Sequence, residues 1–263
     1  ADLTGIEDFE VLEFLYCNSN QLTSLDISQN TALTNLRCQV NQLTNLNVSN
    51  NTALTSLHCG DELGGNQLTN LDLSNNINLT DLWCGNNQLV NLDLSNNTTL
   101  TMLHCGINQL TSLDVSQNSA LIGIACYVNP ITNLDISQNT SLSWLYCFSN
   151  QLTSLDVTNN TALYDIRCHN NQLTSLDLSQ NTALSVLLCQ DNNLNNLDLS
   201  NNPSLRVLYC EKNQITNLNV SNNSQLVELK AYSNQLTNIN VNSANDLIWF
   251  SCAENQLTSL DVS

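Results

Sequence analysis

Eleven cysteines, three histidines and a long row of aspartates are the residues of this 263-residue chain with the most chemistry to offer. Spacing decides what they can do. The cysteines stand at 17, 38, 59, 84, 105, 126, 147, 168, 189, 210 and 252. Every interval is 21 residues except two: 25 from Cys59 to Cys84, and 42 from Cys210 to Cys252, where Ala231 takes the missing place. A position that alanine can fill is neither a ligand set nor an essential cross-link, and with no Cys-x-x-Cys pair zinc has no support. On successive parallel strands the thiols would lie about 4.8 Å apart, wider than the roughly 3.5 to 4.5 Å Cβ separation of a disulfide. The spacing predicts a column of buried, reduced thiols acting as small hydrophobes.

The aspartates form a column of their own, at Asp26, Asp72, Asp93, Asp114, Asp135, Asp156, Asp177, Asp198 and Asp261, with Asn at 47, 219 and 240. Like charges at strand spacing repel, and turn amides, ambient salt or Ca²⁺ could offset this. A flat row supplies too few oxygens for the six to eight that Ca²⁺ prefers, so we expect a solvated acidic wall. His58 and His104 fall two rungs apart, and no nucleophile motif, phosphate loop or close carboxylate pair accompanies them. No catalytic residue, metal site or cofactor is expected.

Those columns imply an element that repeats. Aligned on the cysteines, the chain reads L-x-x-L-x-C-x-x-N-Q-L-T-x-L-D-x-S-x-N-T-x about twelve times, and each phrase holds a second rhythm. Leu33, Leu36, Cys38 and Asn41 are echoed ten residues later by Leu43, Leu46, Val48 and Asn51. A period of this size marks a solenoid, whose repeats bury their apolar faces only by stacking. The L-x-C and L-x-V alternation has the period of a half-buried strand, and the β-branched residues and corner asparagines disfavour helix. We expect parallel strands on one and also the other side of each coil, little helix and gentle curvature. Asn three places after each Cys, or after Ala231, should satisfy corner backbone groups through its side-chain amide. A second column, from Asn30 to Asn223, does the same at the opposite corner.

The formal net charge of −18, with only five Lys and Arg, excludes nucleic acid as a partner, because phosphate binding needs clustered cations. No long apolar run or basic amphipathic segment points to membrane insertion. Two Pro and seven Gly leave no linker, so residues 1–263 read as one solenoid. Residues 1–11, with Leu3, Ile6 and Phe9, make a partial cap, and a four-residue insertion lies within 60–65. With no capping element at its end, the chain reads as a fragment of a longer protein.

Residues that vary between repeats concentrate on one strand. The window from four places before each Cys position to two after it holds every Trp, Tyr, His, Lys and Arg. Two patches emerge. His58, Trp83 and His104 are adjacent, beside Gly60, Gly85 and Gly106, which would shape a shallow slot walled by the insertion. Tyr127, Trp144, Tyr146, Phe148, Tyr164, Arg167 and His169 form a larger cluster, and Tyr209 and Tyr232 follow. Cation–π pairs such as Tyr16–Arg37, Tyr146–Arg167 and Tyr209–Lys230 could alone explain several of these side chains.

The L-x-x-L-x-C-x-x-N-x-L core resembles the leucine-rich repeats of bacterial surface proteins, in particular those with a cysteine ladder. That resemblance implies a non-catalytic recognition or adhesion module, extracellular or attached to a bacterial surface, with its signal and anchor outside this chain. On this reading the variable strand meets a protein on a host or neighbouring cell, aromatics and Arg being enriched at such surfaces. A glycan-binding module that stacks sugars on Trp83 or Trp144 is the alternative.

Overall fold

The computed structural model describes residues 2–260. The chain divides into two compact units, residues 1–131 and 132–263.

In the first unit each coil contributes one short strand: β1 (Phe14–Tyr16), β2 (Asn35–Arg37), β3 (Ser56–Gly60), β4 (Asp81–Cys84), β5 (Met102–His104) and β6 (Gly123–Ala125). They pair in chain order, all parallel, with equivalent positions of successive repeats in register, except that the register slips after His58 so that Gly60 lies opposite Cys84. The second residue of each strand points inward, so Leu36, Leu57, Leu82, Leu103 and Ile124 are fully buried. The Cys of each coil is buried beside it. A 3₁₀ turn, Ile6–Asp8, precedes β1. It serves as a first rung, because Asn30 Nδ2 donates to the carbonyls of Ile6 and Phe9 at 2.8 and 3.1 Å. The cap it makes is thin, since Phe9 remains 59% exposed.

The second unit repeats the plan with β7 (Trp144–Tyr146), β8 (Asp165–Arg167), β9 (Val186–Leu188), β10 (Val207–Tyr209), β12 (Glu228–Lys230) and β14 (Trp249–Ser251). Consecutive members pair in parallel register. The opposite side of the coil keeps its apolar-in, polar-out alternation. Among the described residues, however, only β11 (Asn217–Asn219) and β13 (Asn238–Asn240) form a ladder there. These are the two successive repeats in which Asn replaces the wall aspartate, and Asn219 lies directly opposite Asn240. Uncharged neighbours can approach where two carboxylates resist it.

Both asparagine columns are rungs. At the strand corner, the residue two places after each Cys except Cys59, such as Ser19, Asn86 or Asn170, adopts a left-handed conformation with φ of 52 to 56°. That turn aims the next side chain inward. Asn171 Nδ2 donates to the carbonyls of Cys147 and Cys168, each at 3.0 Å, and its Oδ1 accepts from the Leu152 N–H at 3.0 Å. The opposite column is fully buried but one-sided. Asn160 Nδ2 donates to the carbonyls of Ile136 and Asn139 at 3.0 and 2.8 Å, while its Oδ1 makes no hydrogen bond.

All eleven cysteines are free, ten of them buried and Cys252 half-buried. Burial pushes the Cys59, Cys126 and Cys168 thiols up to about 12, so at neutral pH they are protonated and unreactive. Ala231 is fully buried in the same column.

Candidate functional site

Parallel pairing turns each outward position of the strand into a column, and three columns share the outer face: three places before the Cys, one before it and one after it. In the first unit the middle column stacks His58, Trp83 and His104, as their register dictates. The His58 and Trp83 rings are 5.0 Å apart at 21°, and those of Trp83 and His104 3.8 Å apart at 17°. The indole is therefore covered on both faces. Asp81, two places before Trp83, ties the group together. Its Oδ2 accepts from Ser56 Oγ at 3.1 Å and pairs with His58 Nε2 at 2.7 Å, and its Oδ1 accepts from Trp83 Nε1 at 2.8 Å. Burial alone would raise the Asp81 carboxyl, but the His58, Trp83 and Ser56 contacts hold it below the usual carboxylate range. Burial lowers His104 to about 4, against the pull of Asp81.

The glycine column beside this stack is filled. A Cβ on Gly60 would fall 1.8 Å from the Gly85 carbonyl oxygen, and one on Gly106 would meet the Tyr127 ring at 2.8 Å. In place of the expected slot, these glycines let backbone and ring come close.

In the second unit the same three-part device recurs. Tyr146 donates its hydroxyl to Asp165 Oδ2 at 2.9 Å. Arg167 lies over the Tyr146 ring at 4.4 Å and donates to both oxygens of Asp165, Nε at 3.1 Å and Nη2 at 2.9 Å. Burial and the bond to Asp165 raise the Tyr146 hydroxyl to about 12. Three coils further on, Tyr209 donates to Glu228 Oε2, and Lys230 sits 3.7 Å from the Tyr209 ring and 5.5 Å from Trp249. Between the two clamps Val186, Leu188 and Val207 are half-exposed on the strand face. An apolar floor thus has a rigid aromatic and charged rim.

Of the remaining sequence-predicted residues, Trp144 lies 4.9 Å from Tyr146 in a tilted arrangement. Phe148 stacks on His169 at 4.4 Å and 7°, and burial lowers the His169 imidazole. Tyr164 is 47% exposed, Tyr232 is half-buried, and Tyr127 belongs to the first unit, over Gly106. Sequence reasoning missed the floor of Val186, Leu188 and Val207, because it counted aromatic and charged types and passed over aliphatic ones in the same columns. It also missed Asp81, which stands two places before Trp83 and so on the same strand face.

On the opposite wall each aspartate folds back on its own turn. Asp26, Asp72, Asp93 and Asp177 Oδ1 accept from the N–H two residues on at 2.9 to 3.0 Å. These backbone bonds lower their carboxyls, at Asp72 and Asp177 against a neighbouring aspartate. Shallow hollows between coils are lined by such groups, one by Asp93, Ser95, Asp114 and Gln117. No His, Cys, Asp and Glu cluster able to hold a metal ion occurs among the described residues. No described helix is long and apolar enough to cross a membrane. Asp261 lies outside the described residues.

Comparison with known proteins finds matches in structure. The functional domain of InlJ from Listeria monocytogenes, which includes a cysteine ladder, superimposes with a TM-score of 0.91 at 37% identity, covering 99% of this chain. The chain spans 62% of that InlJ chain. The internalin InlF from the same species matches with a TM-score of 0.79 at 24% identity over 96% of this chain and 84% of its own. A leucine-rich repeat protein from Leptospira interrogans matches at 0.84 and 24%, over 94% and 68%. The last two establish the fold alone. No family model and no curated protein sequence matches.

Proposed function

We propose that this chain, a leucine-rich repeat solenoid with a cysteine ladder resembling that of InlJ, is a non-catalytic recognition module that binds a protein through the outer face of its strands. What carries the reading is the second unit's face, where Val186, Leu188 and Val207 lie between the Tyr146–Arg167–Asp165 and Tyr209–Lys230–Glu228 clamps. Apolar centre and polar rim are the anatomy of protein interfaces, and side chains already fixed lose little entropy on binding. The likeness to internalins supports an exported, surface-attached bacterial product whose partner lies on another cell.

The glycan alternative loses ground at Trp83, since His58 and His104 occupy both faces on which a sugar would stack. An array of purified extracellular proteins and a glycan array, each probed with the chain and with a Leu188→Lys variant, test the choice. The expected result is binding to a protein that the variant weakens at least about tenfold, roughly 1.4 kcal/mol. Specific signal confined to glycans would overturn the reading.

A further inference from the structure

The 21-residue period gains residues once, between Cys59 and Cys84. Removing residues 61–64 would leave Cys59-Gly60-Gly65-Asn66, the same corner as Cys84-Gly85-Asn86-Asn87. Asp61, Glu62, Leu63 and Gly64 are thus a clean addition to a coil that is complete without them. They form a constrained turn. The Asp61 N–H donates to the Gly64 carbonyl at 3.1 Å, and Asp61 Oδ1 accepts from the N–H groups of Leu63 and Gly64 at 2.9 and 3.1 Å. Its base is clamped, because a Cβ on Gly60 or Gly65 would lie 1.8 or 1.6 Å from the neighbouring coil's carbonyl oxygens.

At the tip Leu63 is 85% exposed. Burial of such a residue on folding contributes almost nothing, so the turn holds an apolar side chain rigidly in water. The corner column around it is partly apolar, with Val40 before it and Ile107 and Val128 beyond Asn86. Val40, Ile107 and Val128 take the left-handed conformation that β-branched residues rarely adopt, with φ of 56, 55 and 52°, and Val128 is 42% exposed. Electrostatics select the occupant. Residues 1–131 carry twelve Asp and Glu against one cation, Arg37, a formal net charge of −11, and Asp61 and Glu62 flank the tip.

We infer that the turn at residues 61–64 is a docking knob for a cationic protein segment, whose apolar side chain packs on Leu63 while its lysines or arginines meet Asp61 and Glu62. This rests on the chain being a protein-recognition module, but it places a second contact at the coil corner, away from the strand face.

The test pans phage-displayed random dodecapeptides against the intact chain. Enriched peptides are then measured on the chain, on Leu63→Ser, on a variant lacking residues 61–64 and on Leu188→Lys. The expected peptides place Lys or Arg beside an apolar residue. They lose about tenfold or more in affinity on Leu63→Ser and on the deletion, weaken with salt, and are indifferent to Leu188→Lys. Both knob variants melt within a few degrees of the parent. Peptides that bind Leu63→Ser as tightly as the parent, or that carry no basic and apolar consensus, overturn the knob. If such peptides instead fail on Leu188→Lys, the strand-face reading stands without it.

Discussion

His58 and His104 cover the two faces of Trp83 while Asp81 takes its indole N–H, so these residues satisfy much of one another's chemistry. Column reading placed the three rings side by side because parallel strands in register leave no other neighbour. It could not tell that the stack would close on itself, since that depends on side-chain torsions. The closure has a consequence for pH. Burial depresses His104 to about 4, whereas in the unfolded chain it titrates near about 6.5. The stability gained by keeping it neutral is complete above about pH 6.5 and is lost as pH falls toward about 4. Allowing for solvent reaching a half-exposed ring, we expect a loss of about 1 to 2 kcal/mol over that window. Urea unfolding at pH 7 and pH 4.5 measures it, and His104→Phe, which keeps an aromatic ring in the stack, should flatten the dependence. Identical pH slopes in the two proteins would remove His104 as the cause.

The two asparagine ladders look equivalent in sequence and differ in what their rungs do. Asn171 both donates and accepts, joining two cysteine carbonyls to the Leu152 N–H of the preceding coil. Asn160 only donates. Removing Asn171 leaves the Leu152 N–H unmet inside the coil, at about 1 to 3 kcal/mol before relaxation, while the Cys147 and Cys168 carbonyls keep the bonds they accept from Asn150 and Asn192. Asn171→Ala should therefore cost more than Asn160→Ala, by about 1 to 3 kcal/mol. Denaturant midpoints of the two variants decide it, and equal losses would mean that accepting at the strand corner contributes nothing. The period and the invariant Asn made both corners legible. The extent of strand on the second side was not, because Asn217–Asn219 and Asn238–Asn240 pair where a neutral residue replaces a charged one, a substitution that barely changes the pattern of apolar positions.

Across the whole molecule, the constant letters were the legible ones: the buried Leu, Cys and Asn columns recur where the period puts them. The candidate site was legible as a face but not as a surface, because exposure depends on what each neighbour covers. The acidic wall poses the same question of competing effects at the scale of the entire chain. With a net charge of −18, mutual repulsion predicts that protonating the aspartates would stabilise the fold. The turn hydrogen bonds predict the reverse: they lower the carboxyls of Asp26, Asp72, Asp93, Asp114, Asp177 and Asp198, at Asp72, Asp114 and Asp177 against the pull of a neighbouring aspartate. A group depressed in the folded state contributes stability above its unfolded value, about 3.9 for Asp, and that contribution is lost as pH falls through the folded one. The melting temperature should therefore drop as pH falls below about 4, a window below that of His104, even though the wall carboxylates are then losing their mutual repulsion. Raising NaCl from about 0.1 to about 1 M at pH 7 shortens the Debye length from about 10 to about 3 Å, less than the strand spacing, and should raise the melting temperature by relieving the residual repulsion. Thermal melts followed by circular dichroism separate the two effects: a chain stabilised both by acid and by salt would mean that repulsion, not the turn bonds, governs the wall.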